Sequence, residues 1–273
     1  MSQPPQTLCP QMAENTTIGV IGLGGVGGIV ARYVAVFLAS LNRRLRLLLI
    51  DGDAFEPANA TRMLFSRAGN KAVVLRDELL ERLGESLLTV IAVEQYVTPQ
   101  NIGSLIAPSS IVLLAVDNHA TRKLLSDHAA TLSDICLISA GNDGVGPDSS
   151  RHLRSGTFGN CQVYLRKDGQ ELTPPLTRFH PEIAAPADHS AAEKSCTELI
   201  VSTPQILFAN LTAAACCLNT LLLHLSGELR YCELCFDVAE GRMSPVSLPC
   251  RLPAISQMIH PSDIRGDLPA GRA

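Results

Sequence analysis

Residues 17–28, Thr-Ile-Gly-Val-Ile-Gly-Leu-Gly-Gly-Val-Gly-Gly, decide the fold of this chain of 273 residues. An apolar run enters a loop in which Gly22, Gly24 and Gly27 have the spacing G-x-G-x-x-G, and a helical pattern follows at once. Glycines at these positions let the backbone approach phosphates closely, and the N-terminus of the following helix favours negative charge. The stretch therefore predicts the start of a nucleotide-binding βαβ unit.

The second strand of this unit is predicted at 45–51 and ends in Asp51. A carboxylate at this point is placed to hydrogen-bond the ribose of a bound nucleotide. Taken alone, the glycine loop and Asp51 favour NAD, so a nicotinamide-dependent oxidoreductase is one interpretation. The polar residues that follow Asp51 favour ATP instead.

The first half of the chain alternates apolar strands with helical segments. The pattern predicts helices over 25–41, 71–83 and 118–130, and strands over 17–22, 45–51, 87–97, 111–116 and 135–140, the last ending at a glycine-rich turn segment, 141–147. Such alternation indicates the α/β class, with a doubly wound, mostly parallel, Rossmann-like sheet covered on both faces. Ligands bind beyond the carboxyl ends of these strands, where Gly22, Asp51 and Asp117 are predicted to lie.

The second half has a different pattern. A strand is predicted over 157–167, and the proline-containing stretch 170–196 has little periodicity, which indicates a functional crossover loop or a disordered link. Polar capping residues and a proline predict a long helix over 203–226. Strands over 230–237 and 243–248 then form a hairpin, which predicts an antiparallel extension of the sheet.

These elements predict one domain over 17–249, between an N-terminal tail (1–16) and a C-terminal tail (250–273). Apolar residues make up 46% of the chain and charged residues 18%, so a sizeable core is expected. The net charge of −4 argues against nucleic-acid binding as the main task. Nine cysteines without a secretory pattern at the start predict a reduced, cytoplasmic protein with free thiols.

One apolar segment, 206–225, has about the length of a membrane span. It contains polar residues, which are Asn210, Thr212, Asn219, Thr220 and His224. Polar groups at membrane depth are costly, so the segment is predicted to be a buried core or dimer-interface helix, and no membrane association is expected.

Four groups of polar residues carry a family resemblance. They are Asp51-Gly-Asp53 after a strand, Asn59-Ala-Thr-Arg62, Lys71 at a helix start and Asp117-Asn118 at a strand end. With the glycine loop, this set resembles the ThiF/MoeB family of adenylating enzymes, which includes the activating enzymes of ubiquitin and ubiquitin-like proteins. Glu56-Pro-Ala-Asn59, Asn70-Lys71-Ala and the segment 195–210 are most similar to the ThiF-family proteins of bacterial "PRTRC" gene clusters.

The resemblance implies roles for these residues in binding Mg·ATP. Asp51 would hold the ribose, Arg62 and Lys71 would contact phosphates with Asn59 beside them, and Asp117 would sit near Mg²⁺ and serve catalysis with Arg62 and Lys71. Gly22, Gly24, Gly25, Gly27, Asp53 and Asn118 complete the implied nucleotide site. Magnesium prefers such carboxylate and water oxygens.

Each of these residues, taken singly, also has an ordinary structural interpretation. Arg62 and Lys71 would be solvated surface charges, and Asp53 would form a turn. Asp117 would cap the helix that follows it. Arg122 would be a charge on a helix face.

Cys196 is the candidate nucleophile, because activating relatives place a thioester-forming cysteine in or near the crossover segment. Lys194 would favour its thiolate modestly. Cys216 and Cys217 are predicted to be core residues. His180 and His189, which lie in the crossover loop, are predicted to be surface histidines.

Three departures from the family pattern stand out. Residues 1–31 contain no Arg or Lys, although relatives carry an N-terminal arginine that reaches the partner subunit's ATP. Only one Cys-x-x-Cys pair, Cys232 and Cys235, is present, whereas structural zinc needs four ligands. Met63 follows Arg62 where many relatives have glutamine.

The sequence thus predicts ATP-dependent adenylation of a carboxylate, namely the C-terminal glycine of a ubiquitin-like or sulfur-carrier protein, with a thioester at Cys196 as a further step. The resemblance also implies a homodimer. Besides the oxidoreductase, a non-catalytic binding module of the same fold and an enzyme that adenylates a small molecule or a tRNA-borne carboxylate are open alternatives.

Overall fold

The computed structural model describes residues 7–56, 60, 63–147, 150, 152–189 and 207–248, with the backbone alone at 143–147 and 153–155. The strands are β1 (Thr17–Ile21), β2 (Leu45–Ile50), β3 (Ala54–Phe55), β4 (Gly69–Asn70), β5 (Leu88–Val93), β6 (Ile111–Leu114), β7 (Ile135–Pro147), β8 (Leu153–Lys167), β9 (Gln170–Glu171), β10 (Tyr231–Asp237) and β11 (Arg242–Ser247). The helices are α1 (Gly25–Ser40), α2 (Lys71–Leu83), α3 (Ile102–Leu105), α4 (His119–Thr131), α5 (Pro181–Ala184) and α6 (Leu207–Leu225).

The main sheet has the order β11-β10-β8-β7-β6-β1-β2-β5, and β9 pairs with β8 at its margin. Within this order, the neighbouring strands β7, β6, β1, β2 and β5 all pair in parallel. The pairs β7–β8, β8–β10 and β10–β11 are antiparallel. The sheet is therefore mostly parallel with an antiparallel extension, as predicted. The sequences of the parallel strands are mostly apolar because helices cover both faces of the sheet.

Two hydrophobic cores lie on opposite faces of the sheet. One holds side chains of α1, α2 and α6, with Val30, Leu75 and Leu221 among its buried members. The other lies under α3, α4 and α5, where Leu125 and Ile183 are buried. This arrangement is the doubly wound architecture that the alternating pattern indicated, and it confirms the predicted fold class.

Local capping explains where two of the helices begin. The side chain of Asn70 accepts hydrogen bonds from the backbone N–H groups of Ala72, at 2.9 Å, and Val73, at 3.2 Å, so α2 starts at Lys71 as predicted. The side chain of Asn118 accepts a bond of 2.8 Å from Thr121 N–H at the start of α4. The cap of α4 is thus Asn118, and the interpretation of Asp117 as its cap was wrong.

The glycine-rich segment after β7 corrects the sequence-based boundary at Ala140. Instead of turning there, β7 continues to Pro147 because it pairs with β8, and the register shifts near Gly144. Glycines tolerate such bulges, so a segment that resembles a turn in sequence extends the strand. β8 starts at Leu153, earlier than predicted, for the same reason.

Among the described residues, α6 is the one helix that is apolar enough and, with 19 residues, long enough to cross a membrane. It packs on α1, β7 and β8, and its inner face is buried, including Cys216 and Cys217. The prediction of a core helix is therefore confirmed. Polar members of that face, Asn210 and Thr220, are fully buried and hydrogen-bonded within the fold.

Candidate nucleotide site

The glycine loop lies at the carboxyl end of β1, between the ends of β2 and β6. Gly22 has φ +80°, and a Cβ there would lie 2.9 Å from the carbonyl oxygen of Ala115. A Cβ on Gly27 would lie 1.7 Å from the carbonyl oxygen of Gly22, so only glycine fits either position. Gly24 caps α1 without a side-chain hydrogen bond, which leaves the first N–H groups of the helix for an anion.

Asp51 shapes this loop from the end of β2. Its Oδ2 accepts a hydrogen bond of 2.6 Å from Leu23 N–H, and its Oδ1 accepts one of 2.8 Å from Asp53 N–H. Burial raises the pKa of the Asp51 carboxyl, against the opposing effect of the nearby Lys71 charge and these two hydrogen bonds. Asp51 therefore lies where a ribose ligand was predicted, and it also determines the loop conformation.

Lys71 and Asp53 form a partly buried ion pair next to this loop. Lys71 Nζ lies 3.0 Å from Asp53 Oδ2, and the lysine side chain is 8% exposed. The backbone N–H of Lys71 also donates to the carbonyl of Asp53 at 2.9 Å. Lys71 is thus not a solvated surface charge, and Asp53 does more than form a turn.

Tyr96, after β5, was missed by sequence reasoning. Its hydroxyl donates a hydrogen bond to Asp53 Oδ1, and its ring lies against Gly52, where a Cβ would come within 2.7 Å of a ring carbon. Burial, the bond to Asp53 and the charges of Asp51 and Asp117 raise the pKa of Tyr96, so its hydroxyl stays a donor. No spacing in the sequence linked Tyr96 to this site.

Asn70 is a second residue whose role the sequence did not reveal. Its Nδ2 donates to the carbonyl oxygen of Asp51 at 2.9 Å, while its Oδ1 caps α2. One side chain therefore joins the end of β2 to the start of the helix that carries Lys71. A polar residue before an apolar helical pattern was a usable signal for the cap, but not for the bond to Asp51.

Asp117 and Asn118 follow β6 and lie at the same carboxyl edge of the sheet as the glycine loop. Asn118 is buried, whereas Asp117 is exposed, and the charge of Asp117 contributes to the raised pKa of Tyr96. Asp51, Asp53 and Asp117 thus surround one tyrosine. Exposed carboxylates such as Asp117 suit Mg²⁺, which keeps several waters and binds through one or two carboxylates plus substrate phosphates.

Arg122 corrects the interpretation of a charge on a helix face. It is 5% exposed, and its guanidinium donates to Ser139 Oγ at 2.9 Å and to the carbonyls of Val116, at 2.9 Å, and Ala140, at 3.3 Å. These bonds tie α4 to the segment that follows β6 and to the middle of β7. Arg122 therefore stabilises the segment after β6, which continues into Asp117 and Asn118.

His180 corrects a second interpretation, because it is not a simple surface histidine. Its ring lies between Glu182 and Glu233, at 2.8 Å and 2.9 Å. His189, in contrast, is exposed, as predicted.

Asn59, Arg62 and Cys196 lie outside the described residues. Their predicted roles stay predictions. Met63 lies beside the loop, because a Cβ on Gly24 would be 3.8 Å from Met63 Cε.

Cys232 and Cys235 lie on β10, and the first is buried whereas the second is exposed. Strand residues three apart point to opposite faces, which does not suit a shared metal ion. Among the described residues, no group of three or more His, Cys, Asp or Glu side chains could hold a metal ion.

The model of the ThiF family matches residues 10–232 of this chain. The chain belongs to the ThiF family. Its sequence is 33% identical over 122 residues to "Adenylyltransferase and sulfurtransferase uba4" of Neosartorya fischeri, a match that covers 44% of this chain and 22% of that protein. It is 32% identical over 135 residues to "Protein HesA" of Leptolyngbya boryana, covering 48% of this chain and 46% of that protein. The chain therefore spans less than half of either relative.

Solved structures share the fold. E. coli MccB with ATP has a TM-score of 0.60 at 17% identity, covering 88% of this chain and 66% of that chain. PaaA has a TM-score of 0.60 at 16% identity, covering 85% of this chain and 64% of that chain. At these identities the likeness shows the fold alone, and it agrees with the ThiF assignment.

Proposed function

We propose that this ThiF-family protein binds Mg·ATP at the carboxyl edge of its sheet and adenylates a carboxylate. The observation that carries the proposal is the buried cation Lys71, held 3.0 Å from the exposed carboxylate of Asp53 next to the glycine loop and the open N-terminus of α1. A dinucleotide site needs the glycine loop and Asp51, but it does not need a buried cation after a second strand. The names of the uba4 relatives, which are adenylyltransferases, support this choice.

The chemistry requires charge stabilisation more than a covalent catalyst. A carboxylate oxygen attacks the α-phosphorus of ATP, a new C–O–P linkage forms, and the bond to the leaving pyrophosphate breaks. Negative charge spreads over the phosphoryl oxygens, so positioned cations and N–H donors lower the barrier. The cations are Lys71 and Arg62, and the first turn of α1 supplies the N–H donors. Asp51 and Asn118 orient the site. Asp117 would hold Mg²⁺, which neutralises phosphate charge.

The carboxylate is proposed to be the C-terminal glycine of a ubiquitin-like or sulfur-carrier protein. The adenylyltransferase and sulfurtransferase named among the relatives supports a carrier of this kind. A thioester would follow when the Cys196 thiolate attacks the acyl carbon and AMP leaves. A cytoplasmic location fits the free thiols of the chain.

A homodimer is proposed through one apolar face, made of Tyr33, Val36, Phe208 and Leu211. These side chains are 63%, 43%, 69% and 43% exposed, on α1 and α6, which pack side by side on the same face of the sheet. Exposed apolar side chains on two neighbouring helices favour an association surface there.

Calorimetric titration tests the nucleotide assignment. The purified protein is titrated with Mg·ATP and, separately, with NAD, as wild type and as Asp117→Ala. We expect Mg·ATP binding that weakens at least about tenfold in the variant, which corresponds to about 1.4 kcal/mol. Binding of NAD alone would contradict the proposal, and binding of neither nucleotide would favour a non-catalytic module.

Adenylation itself is tested by pyrophosphate exchange into ATP with a candidate carrier. Cys196→Ser should retain exchange and lose the thiol-sensitive conjugate, whereas Cys9→Ser, which changes an exposed cysteine, should retain both. A conjugate that persists in Cys196→Ser would remove Cys196 from the mechanism.

A further inference from the structure

Residues 172–189, called the strap here, run from β9 to the start of α4. The strap is packed onto the domain, because Leu172, Leu176 and Ile183 are buried. The backbone N–H of Leu176 donates to Ser126 Oγ on α4 at 3.2 Å. The described part of the proline-containing stretch therefore has a defined place over one face of the sheet.

The far end of the strap is tied to the first turn of α4. Asp188 Oδ2 accepts a hydrogen bond of 2.8 Å from His119 N–H, and its Oδ1 accepts one of 2.9 Å from Ala120 N–H. Together with the Asn118 cap on Thr121, these bonds satisfy three N–H groups at the helix start. A carboxylate is favoured there by the helix dipole. Asp117 immediately precedes this turn.

The middle of the strap is tied to β10 through His180. Its Nδ1 lies 2.8 Å from Glu182 Oε1, and its Nε2 lies 2.9 Å from Glu233 Oε1. Ionised carboxylates only accept hydrogen bonds, so both ring nitrogens must carry protons to satisfy both contacts. Glu233 is 6% exposed and also accepts a bond of 2.7 Å from Asn160 Nδ2.

We propose that Asp188 and His180 are positioning residues, and that the strap they hold in place fixes the Asp117–Asn118 turn for ligand binding. Asp188 orients the start of α4 directly, and protonated His180 anchors the strap that delivers Asp188. The proposed role of Asp117 in binding Mg·ATP underlies the functional part of this inference. The tie between strap and helix is independent of that role.

The His180 anchor makes the strap sensitive to pH. The groups that face it are Glu182 on α5 and Glu233 on β10, with Cys235 bonded to Glu233 and His119 of α4 near Glu182. The bond to Glu233 raises the pKa of His180 above its usual value of 6.5, against the opposing effect of burial. Burial alone would raise the pKa of Glu233, but the bonds from His180 and Asn160 lower it.

The pKa shifts of His180 and Glu233 determine how the stability of the closed strap changes with pH. A raised histidine pKa stabilises the closed strap fully below pH 6.5, and that contribution is lost as the pH rises through the raised pKa. A lowered glutamate pKa stabilises it above pH 4.5, and that contribution is lost as the pH falls through the lowered pKa. The strap is therefore held closed in mildly acidic solution and released as the pH rises.

Two measurements, made in the absence of nucleotide, test whether the strap holds the start of α4. Hydrogen exchange of the amides at 117–122 reports the Asp188 tie, and tryptic cleavage after Arg178, the one Lys or Arg between 168 and 193, reports strap opening. In Asp188→Asn we expect both rates to rise roughly fivefold, as for loss of a helix cap. Asp127→Asn, an exposed carboxylate on the same helix, is the matched control and should change neither rate.

The His180→Gln variant tests the contact between the strap and β10 separately from the contact between Asp188 and α4. Wild-type cleavage at Arg178, corrected with an unstructured reference peptide, should accelerate as the pH rises above 6.5, whereas the variant should be cleaved quickly at every pH. Cleavage of the wild type that does not vary with pH would overturn the anchor. Unchanged exchange at 117–122 in Asp188→Asn would overturn the tie.

Titration with Mg·ATP then tests the functional part. Asp188→Asn should bind Mg·ATP roughly fivefold more weakly than wild type, in line with the loosened first turn. Equal affinity in a variant with faster exchange would show that the strap does not position the site. If the wild type binds no Mg·ATP, the proposed function fails, while exchange and cleavage still decide whether the strap orders the Asp117–Asn118 turn.

Discussion

Asn142 donates a hydrogen bond of 2.7 Å to Asn210 Oδ1, which joins the carboxyl half of β7 to α6 directly behind the glycine loop. Both side chains are buried, and Asn210 Nδ2 is the atom that a Cβ added to Gly25, the first residue of α1, would meet first. A core helix thus places a polar group at the start of α1, the helix that follows the glycine loop. The pair makes the loop sensitive to changes in α6.

Gly25→Ala tests this relationship. A Cβ at Gly25 would lie 2.5 Å from Asn210 Nδ2, so we expect a loss of about 2 kcal/mol in the free energy of unfolding, together with weaker Mg·ATP binding. Asn210→Ala alone leaves Asn142 without its acceptor and should also destabilise. Because the clash disappears in the double variant, its loss should be smaller than the sum of the two single losses.

Urea unfolding of the four proteins in this cycle measures the coupling. Gly103→Ala, where a Cβ meets nothing within 4 Å, is the matched control. Additive single losses would mean that Asn210 does not limit the space at Gly25.

Asp51→Asn should disorganise the glycine loop. The amide places an NH₂ group opposite one of the two backbone donors, Leu23 N–H or Asp53 N–H, so a buried donor loses its acceptor. We expect about 2 kcal/mol of destabilisation in urea unfolding and a loss of Mg·ATP binding by calorimetry. Asp127→Asn on the exposed face of α4 should leave both unchanged, and equal behaviour of the two variants would contradict the role of Asp51.

Arg122→Met should destabilise the carboxyl edge of the sheet. The guanidinium donates to Ser139 and to the carbonyls of Val116 and Ala140, and methionine removes these three hydrogen bonds. We expect about 3 kcal/mol less stability in urea unfolding. Arg82→Met, at an exposed position in the last turn of α2, is the control. If Arg122→Met matched this control, the hydrogen bonds of Arg122 would not stabilise this part of the sheet.

His224 should make the protein sensitive to mild acid. Burial lowers the pKa of His224 to about 4, from an ordinary value of 6.5. As the pH falls below 6.5 the unfolded chain takes up a proton that the folded chain refuses, so stability declines until about pH 4. The ring is partly exposed, although its Nδ1 is buried and has no partner among the described residues, so we expect a loss of about 2 kcal/mol.

His224→Gln removes this titration. Its stability between pH 4 and 6.5, measured by urea unfolding, should fall less steeply than that of the wild type. Identical slopes would show that His224 stays accessible to protons in the folded protein. His128→Gln, which changes another histidine near the end of a helix, is the control.

Phe208→Glu should dissociate the proposed homodimer. A charge in the middle of the apolar face would be desolvated on association, which is costly without a partner. Light scattering should give about twice the chain mass of 29.1 kDa for the wild type and the chain mass for the variant. Leu87→Glu, exposed but distant from α1 and α6 in sequence, should remain dimeric. A wild type that is monomeric at micromolar concentration would contradict the homodimer.

Local patterns in the sequence were sufficient for the fold class, and they predicted part of the candidate site. Glycine spacing, apolar runs and helix caps act over a few residues, so they identified the glycine loop, Asp51 and the start of α2 at Lys71. The same patterns failed where strand pairing outweighed local preference. The glycines after Ala140 resemble a turn, yet pairing with β8 extends β7 through them.

Contacts between distant parts of the chain were decided only by the tertiary structure. Tyr96 meets Asp53 across 43 residues, Asn142 meets Asn210 across 68, and Asp188 reaches His119 across 69. Nothing periodic links such positions, because their distance depends on the path of the whole chain over the sheet. The sequence alone determined that a nucleotide-binding α/β domain forms. Burial and long-range hydrogen bonds decided which polar side chains surround its site. They also decided that Lys71, Arg122 and His180 are paired within the fold and are not solvated surface charges.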